Sequence, residues 1–127
     1  MSGVTYDAGA LIAAERNDRA MWALHAGYLA LEVLPTVPVP VLAQVWRDGR
    51  TQVPLTRLLG GCEVEAMDAP QARRAGRLLL AAGTADVIDA VVVDGALRRD
   101  DVVVTSDSDD IERLAEAGAG RLSIVEV

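Results

Sequence analysis

The stretch VVVTSD at residues 102–107 decides the fold, because four β-branched residues predict a short buried strand that ends at an acid. The acids of the following SDD, at residues 108–110, precede a predicted helix. VTYD at residues 4–7 is a second strand that ends at an acid, and DVIDA at residues 86–90 begins a helix. The carboxyl ends of parallel strands converge on one edge of a sheet. We therefore expect acids from three distant segments to meet there.

Acidic side chains that meet at one edge repel each other unless a cation lies among them. Carboxylate oxygens are hard ligands that suit Mg²⁺ or Mn²⁺. The sequence therefore predicts a divalent metal site at this edge. The candidate ligands are Asp7, Asp86, Asp89 and Asp107.

Each of these acids also has an interpretation without a metal. Asp7 can cap the helix that follows it. Asp86 as N-cap with Asp89 three residues later resembles a capping box, and the helix dipole favours acids in a first turn. Asp107, Asp109 or Asp110 can cap the helix after residue 107 in the same way.

Composition excludes several classes of protein. At 127 residues the chain is expected to form one domain, 1–127. The net charge of −7 disfavours binding of nucleic acid by bulk charge, although all twelve basic residues are Arg, which suits local phosphate recognition. Apolar runs fall far short of the ~20 residues of a membrane span, and no signal peptide is apparent. The single Cys62 is expected to be a structural thiol in a reducing cytoplasm.

The pattern along the chain alternates strands with helices, which predicts a mostly parallel sheet of four to five strands between helices, a three-layer α/β/α arrangement. Predicted strands span residues 4–6, 33–37, 62–67, 102–105 and 122–125. Predicted helices span residues 9–16, 18–31, 40–48, 55–59, 70–82, 86–99 and 109–117.

Four motifs in this order give the chain a resemblance to the PIN domain family, over nearly its whole length. The chain is most similar to the small bacterial toxin nucleases called VapC-like. The motifs are a strand-end Asp before a small-residue helix (DAGALI, 7–12), a Pro-introduced helix (PVLAQVWR, 40–47), an Asp-Ala helix start (89–90) and a Thr-x-Asp at a late strand end (105–107).

The resemblance implies a metal-dependent endoribonuclease that uses Mg²⁺ or Mn²⁺ to cut single-stranded or structured RNA. It also implies a toxin with a cognate antitoxin, a homodimer and a cytoplasmic location. Asp7, Asp89 and Asp107 match the first, third and fourth acids of the family. Gln44 stands where the family most often has a Glu, and Asp86 is the candidate to fill that vacancy.

Other residues are candidates for supporting roles. The hydroxyls of Thr105 and Ser106 can orient a carboxylate or a metal-bound water. Gln44 and Arg47 are possible RNA contacts on one helix. Since Gln44 removes one charge, the alternative function is a PIN-like binding or regulatory protein without nuclease activity. A receiver-type or flavodoxin-like domain is disfavoured, because the chain has no Lys for the late strand of such a fold.

We predict that the protein self-associates as a two-fold dimer, because helix 18–31 carries more apolar residues than one buried face needs. Light scattering should give a dimer mass, whereas a monomer mass across a wide concentration range would contradict this. The residues concerned are Met21, Trp22, Leu24, Tyr28 and Leu29.

Overall fold

The computed structural model describes residues 3–127, which form five strands and seven helices. The strands are β1 (Val4–Tyr6), β2 (Thr36–Pro38), β3 (Glu63–Glu65), β4 (Val102–Thr105) and β5 (Ser123–Glu126). The helices are α1 (Ala8–Glu15), α2 (Arg19–Ala30), α3 (Val39–Val45), α4 (Val53–Leu59), α5 (Ala69–Ala82), α6 (Val87–Arg99) and α7 (Ser108–Ala117).

The strands form one sheet in the order β3-β2-β1-β4-β5, and every pairing in it is parallel. The central pair aligns Tyr6 with Val104, so β1 and β4 end side by side. This arrangement confirms the predicted three-layer α/β/α fold with a parallel sheet of five strands.

Alternate residues of β1 face opposite layers of helices, as the two-residue period of a strand requires. Tyr6 is fully buried, and its hydroxyl lies 2.9 Å from Nδ1 of His25 on α2. Thr5 faces the other layer, where its hydroxyl accepts a hydrogen bond from Arg99 at the end of α6. The layers are thus α1, α2 and α4 on one side and α5, α6 and α7 on the other.

The core is aliphatic, as expected for a chain without Phe. Its largest share comes from α6, whose residues 90–96 are all buried.

Burial of the Cys62 thiol raises its pKa to about 12, and Sγ donates a hydrogen bond to the Leu58 carbonyl, which fits a structural thiol. His25 is a satisfied helix residue, also as expected. Trp46 does not belong to the aliphatic core: its side chain is 37% exposed, because α3 has ended there and the chain is extended.

Several predicted boundaries differ from the observed ones. Strand β2 begins at Thr36 rather than at residue 33, because Glu32 adopts a left-handed conformation with φ of 60° and keeps the chain turning. Helix α5 ends at Gly83, whose φ of 70° is the left-handed terminator that the sequence predicts. No helix among residues 3–127 is both long enough and apolar enough to span a bilayer.

A polar network under α6 joins the amino end of β4 to the edge strand β3. Nε of Arg99 lies 2.8 Å from the buried Asp101 carboxylate, and Nη1 lies 2.6 Å from Glu65 on the edge strand. The Thr5 hydroxyl donates to Asp101 at 2.7 Å. Gly95 leaves room for this guanidinium, since a Cβ there would lie 2.9 Å from Nη2.

We predict that Arg99→Met lowers the free energy of unfolding by about 3 kcal/mol, because it leaves the buried Asp101 carboxylate without its cation. Urea denaturation followed by circular dichroism measures the change. Arg121→Met, at an exposed position, is the matched control and should change the value by less than about 0.5 kcal/mol. An Arg99→Met protein as stable as that control would contradict the role of the network.

Candidate metal centre

The carboxyl edge of the central strand pair collects the predicted acids. Asp7 follows β1 directly, and its backbone N–H continues the ladder by donating to the Val104 carbonyl at 3.2 Å. Asp107 is the second residue after the end of β4. The parallel register therefore brings residues 100 positions apart in sequence to one edge.

A close contact between α1 and the loop after β4 fixes the relative position of these two segments. A Cβ built on Gly9 would lie 2.2 Å from Oγ of Ser106 and 2.7 Å from its backbone nitrogen. Only a residue without a side chain fits there. Ser106 is thus an exposed packing neighbour of α1, and the structure shows no hydrogen bond from its hydroxyl to an acid.

Asp7 is buried and also caps α1, since Oδ1 accepts a hydrogen bond from the Ala10 amide at 3.3 Å. Burial raises the pKa of this carboxyl, and the charge of Asp107 raises it further. Hydrogen bonds from the Thr105 hydroxyl and from the Gly9 and Ala10 amides partly offset the rise. The capping interpretation and a site at Asp7 are therefore compatible.

Thr105 connects the two strand ends. Its side chain is fully buried, and its Oγ1 accepts a hydrogen bond from the Asp107 amide at 2.9 Å. The nearby hydroxyl also lowers the pKa of the Asp7 carboxyl. Thr105 thus binds the backbone of Asp107 and lies close to Asp7.

The first turn of α6 supplies two more acids. Asp86 is exposed and caps the helix, with Oδ1 accepting from the Asp89 amide at 3.0 Å. Asp89 is half-buried. Burial raises its pKa to about 7, and further rises come from the charges of Asp86, Asp7, Asp107 and Asp110, in that order.

Asp89, Asp107 and Asp110 form the tightest acidic group among residues 3–127. One carboxylate oxygen from each lies within 4.8 Å of the other two. A hydrogen bond between the carboxyls of Asp107 and Asp110 is the main cause that raises the pKa of Asp107, which is exposed. Asp7 lies outside this group, but its charge is near enough to raise the pKa of Asp89.

The group fits a divalent cation. Oxygen ligands lie about 2.0–2.6 Å from Mg²⁺ or Ca²⁺, so two ligands of one ion can be up to about 5 Å apart. The observed spacing meets that limit, and the donor set is entirely carboxylate oxygen. The neighbouring carboxylates add to the effect of burial in raising the pKa of Asp89, and no Arg among residues 3–127 forms an ion pair with Asp89, Asp107 or Asp110.

Sequence reasoning ranked Asp110 below Asp107, yet the structure brings both beside Asp89. The signal was the spacing: Asp107 at the N-cap and Asp110 three residues on face the same side of the first turn of α7. Glu15 was not considered, and its Oε2 accepts the Leu55 amide at 2.8 Å, which joins α1 to α4.

Gln44 and Arg47 lie in a separate groove. This groove, about 280 Å³ in volume, runs between α1 and α3 and contains no Asp. Both side chains are exposed, and the Arg47 guanidinium donates to the Trp46 carbonyl at 2.7 Å. Ala8, Ile12, Glu15, Arg16, Val45 and Gln52 complete the lining.

A larger cavity of about 540 Å³ lies at the other edge of the sheet, between the end of α7 and the start of β5. It contains no cluster of acids within reach of one ion. The carboxyl edge is therefore the candidate metal centre because of its grouped carboxylates and not because of a large cavity.

Comparisons with known proteins support the fold. No protein-family model and no curated protein matches the chain. Among solved structures, it is similar to a chain of VapBC2 from Rickettsia felis, crystallised with a DNA fragment from their promoter. The TM-score is 0.70 and the identity 15%, with 98% of each chain covered. The chain thus has the VapC-like PIN fold that its motifs predict.

The raised pKa of Asp89 predicts a pH-dependent stability of the metal-free protein. The folded state holds this proton up to about pH 7, whereas the unfolded chain loses it near the ordinary value of 3.8. The folded state therefore becomes less stable as the pH rises from about 4 to 7, and the loss is complete above pH 7.

Asp89→Asn removes this titration. In urea unfolding with EDTA, the difference in stability between the variant and the original protein should shift in favour of the variant from pH 4 to 7, then stay constant. Glu112→Gln, at an exposed site on α7, is the control. A difference that does not vary with pH would show that Asp89 has an ordinary pKa.

Proposed function

We propose that the protein is a metal-dependent endoribonuclease of the VapC-like kind, the toxin of a toxin–antitoxin pair. The observation that carries the proposal is the group of Asp89, Asp107 and Asp110, whose carboxylate oxygens lie within 4.8 Å of each other. This group lies at the carboxyl edge of a parallel sheet, where α/β proteins bind ligands. The structural likeness to VapBC2 supports the same assignment.

Asp89, Asp107 and Asp110 would hold Mg²⁺ or Mn²⁺, with Asp7 and Asp86 adding negative charge around it. When bound, such an ion supplies Lewis acidity and activates water for attack on a phosphodiester. Asp89 holds a proton near neutral pH in the metal-free protein and must release it from its carboxyl when a cation binds. Thr105 orients Asp7 and the backbone of Asp107 throughout.

The proposed substrate is single-stranded or structured RNA. The phosphodiesters of RNA are exposed to solvent, and so are Asp107 and Asp110. The RNA backbone can therefore reach this acidic group. No His lies at the carboxyl edge, because the single His25 is buried against Tyr6. Proton transfer therefore falls to water and to the carboxyl groups of the site.

Partners and location are part of the same proposal. We propose an antitoxin as partner because the chain is similar in structure to a chain of VapBC2, which was crystallised with promoter DNA. Of the five apolar residues from which a homodimer was predicted, Met21 is buried, Trp22, Leu24 and Tyr28 pack against the core, and Leu29 is exposed. Leu31 and Leu34, which follow α2, are also exposed, and these exposed leucines support the homodimer. The proposed location is the cytoplasm, and the single Cys62 is consistent with it.

The second candidate function is a PIN-like binding or regulatory protein without nuclease activity. The observation that favours it is Gln44, which is exposed in a groove without an Asp and brings no charge to the site. Cleavage of RNA by purified protein in the presence of Mn²⁺, abolished by Asp7→Asn, would exclude it.

We predict that Asp110→Asn weakens Mn²⁺ binding about as much as Asp107→Asn does, each by at least about tenfold, because each removes one charged ligand from the group. Calorimetric titration of Mn²⁺ measures binding, and cleavage of a labelled RNA measures activity. Glu112→Gln is the matched control on the same helix and should change neither.

Gln44→Glu provides a contrast in the same titration. A carboxylate in the groove between α1 and α3 should change Mn²⁺ affinity little, since Gln44 is not among the three grouped side chains. If Gln44→Glu tightens Mn²⁺ binding strongly while Asp110→Asn has no effect, the ion binds at the position that the family motif implies and not at the observed group.

A further inference from the structure

Arg113 is a basic residue that lies next to the acidic group. It is exposed on α7 and lines a small cleft that also contains Asp86, Asp89 and Asp110. Arg113 lies three residues after Asp110 on α7, a spacing at which an acid and an Arg commonly form an ion pair. Within residues 3–127, however, no carboxylate oxygen lies within 4.0 Å of its guanidinium nitrogens. The charge therefore remains available to a ligand.

Five other arginines are already engaged in contacts within the protein. Arg74, Arg98 and Arg99 form ion pairs with acids of the α5–α6 layer or of β3. Arg57 lies over the Trp22 ring, 5.3 Å from its centroid. Arg47, which the sequence favoured as an RNA contact, donates instead to backbone carbonyls. Arg113 thus combines an unpaired guanidinium with a position at the acidic group.

We propose that Arg113 binds a backbone phosphate of the RNA and so positions the strand over Asp89, Asp107 and Asp110, an inference that rests on the proposed ribonuclease function. A chain with a net charge of −7 repels RNA, and the repulsion is strongest where acids cluster. A polyanion can approach only where a local cation offsets that field. A guanidinium matches phosphate with two parallel hydrogen bonds, which also fixes the direction of the strand.

This role predicts opposite effects on the two ligands of the site. Arg113→Gln removes an attractive charge for phosphate, so RNA should bind about tenfold more weakly. The same change removes a repulsive charge for a cation, so Mn²⁺ should bind about two- to fivefold more tightly. A residue that only supports the fold of α7 would weaken both or neither.

RNA affinity is measured with EDTA present, which prevents metal-dependent cleavage of the probe, and Mn²⁺ affinity is measured separately. The probe is a fluorescein-labelled, unstructured RNA oligonucleotide, with binding followed by anisotropy at several salt concentrations. Mn²⁺ binding is titrated without RNA. Arg121→Gln is the matched control, because Arg121 is exposed and precedes β5, whose start lies at the opposite edge of the sheet. Arg113→Lys tests whether charge alone suffices.

We expect Arg113→Gln to weaken RNA binding, to tighten Mn²⁺ binding and to reduce the slope of log affinity against log salt by about 0.7, the share of one phosphate contact. Arg121→Gln should change none of these, and Arg113→Lys should restore the salt slope but only part of the affinity. RNA binding equal in the Arg113→Gln and Arg121→Gln proteins overturns the inference and leaves the nuclease proposal intact. If the original protein neither binds nor cuts RNA, both proposals are wrong.

Discussion

Repulsion among carboxylates at the carboxyl edge of the sheet is the constraint that the rest of the site depends on. The parallel pairing of β1 with β4 forces Asp7 and Asp107 to neighbouring positions, and the start of α6 adds Asp89. Burial raises the pKa of Asp89 to about 7 and the neighbouring carboxylates add to the rise, so Asp89 holds a proton that relieves part of the repulsion. A divalent cation relieves the same repulsion without protons. Stability, pH dependence and function are thus linked through one cluster of charge.

At the opposite, amino edge of the sheet, a buried carboxylate is paired with a cation of the protein itself. There the buried Asp101 carboxylate is neutralised by Arg99 and accepts a hydrogen bond from the Thr5 hydroxyl. At the carboxyl edge no arginine pairs with Asp89, Asp107 or Asp110 within the described chain. The same chain therefore has one buried acid paired with its own cation and one acidic group without such a partner. Unsatisfied charge of this kind marks functional sites more often than structural ones.

The fold could be predicted because strand and helix periods alternate clearly and most strands are short and β-branched or apolar. The position of Asp7 and Asp107 followed from the rule that parallel strands end at one edge. Three features could not be predicted. Whether Asp110 or Asp86 joins Asp89 depends on the packing of α6 against α7, which no local pattern encodes. The exposure of Trp46 depends on where α3 ends, and Gln44 falls in a separate groove because α3 lies beside α1.

A crystal soaked with Mn²⁺ and measured for anomalous scattering tests the central claim most directly, because it locates the ion without relying on activity. The account predicts one strong peak about 2.0–2.6 Å from carboxylate oxygens of Asp89, Asp107 and Asp110. A peak bound by Gln44, or no peak at the carboxyl edge at saturating Mn²⁺, would contradict it.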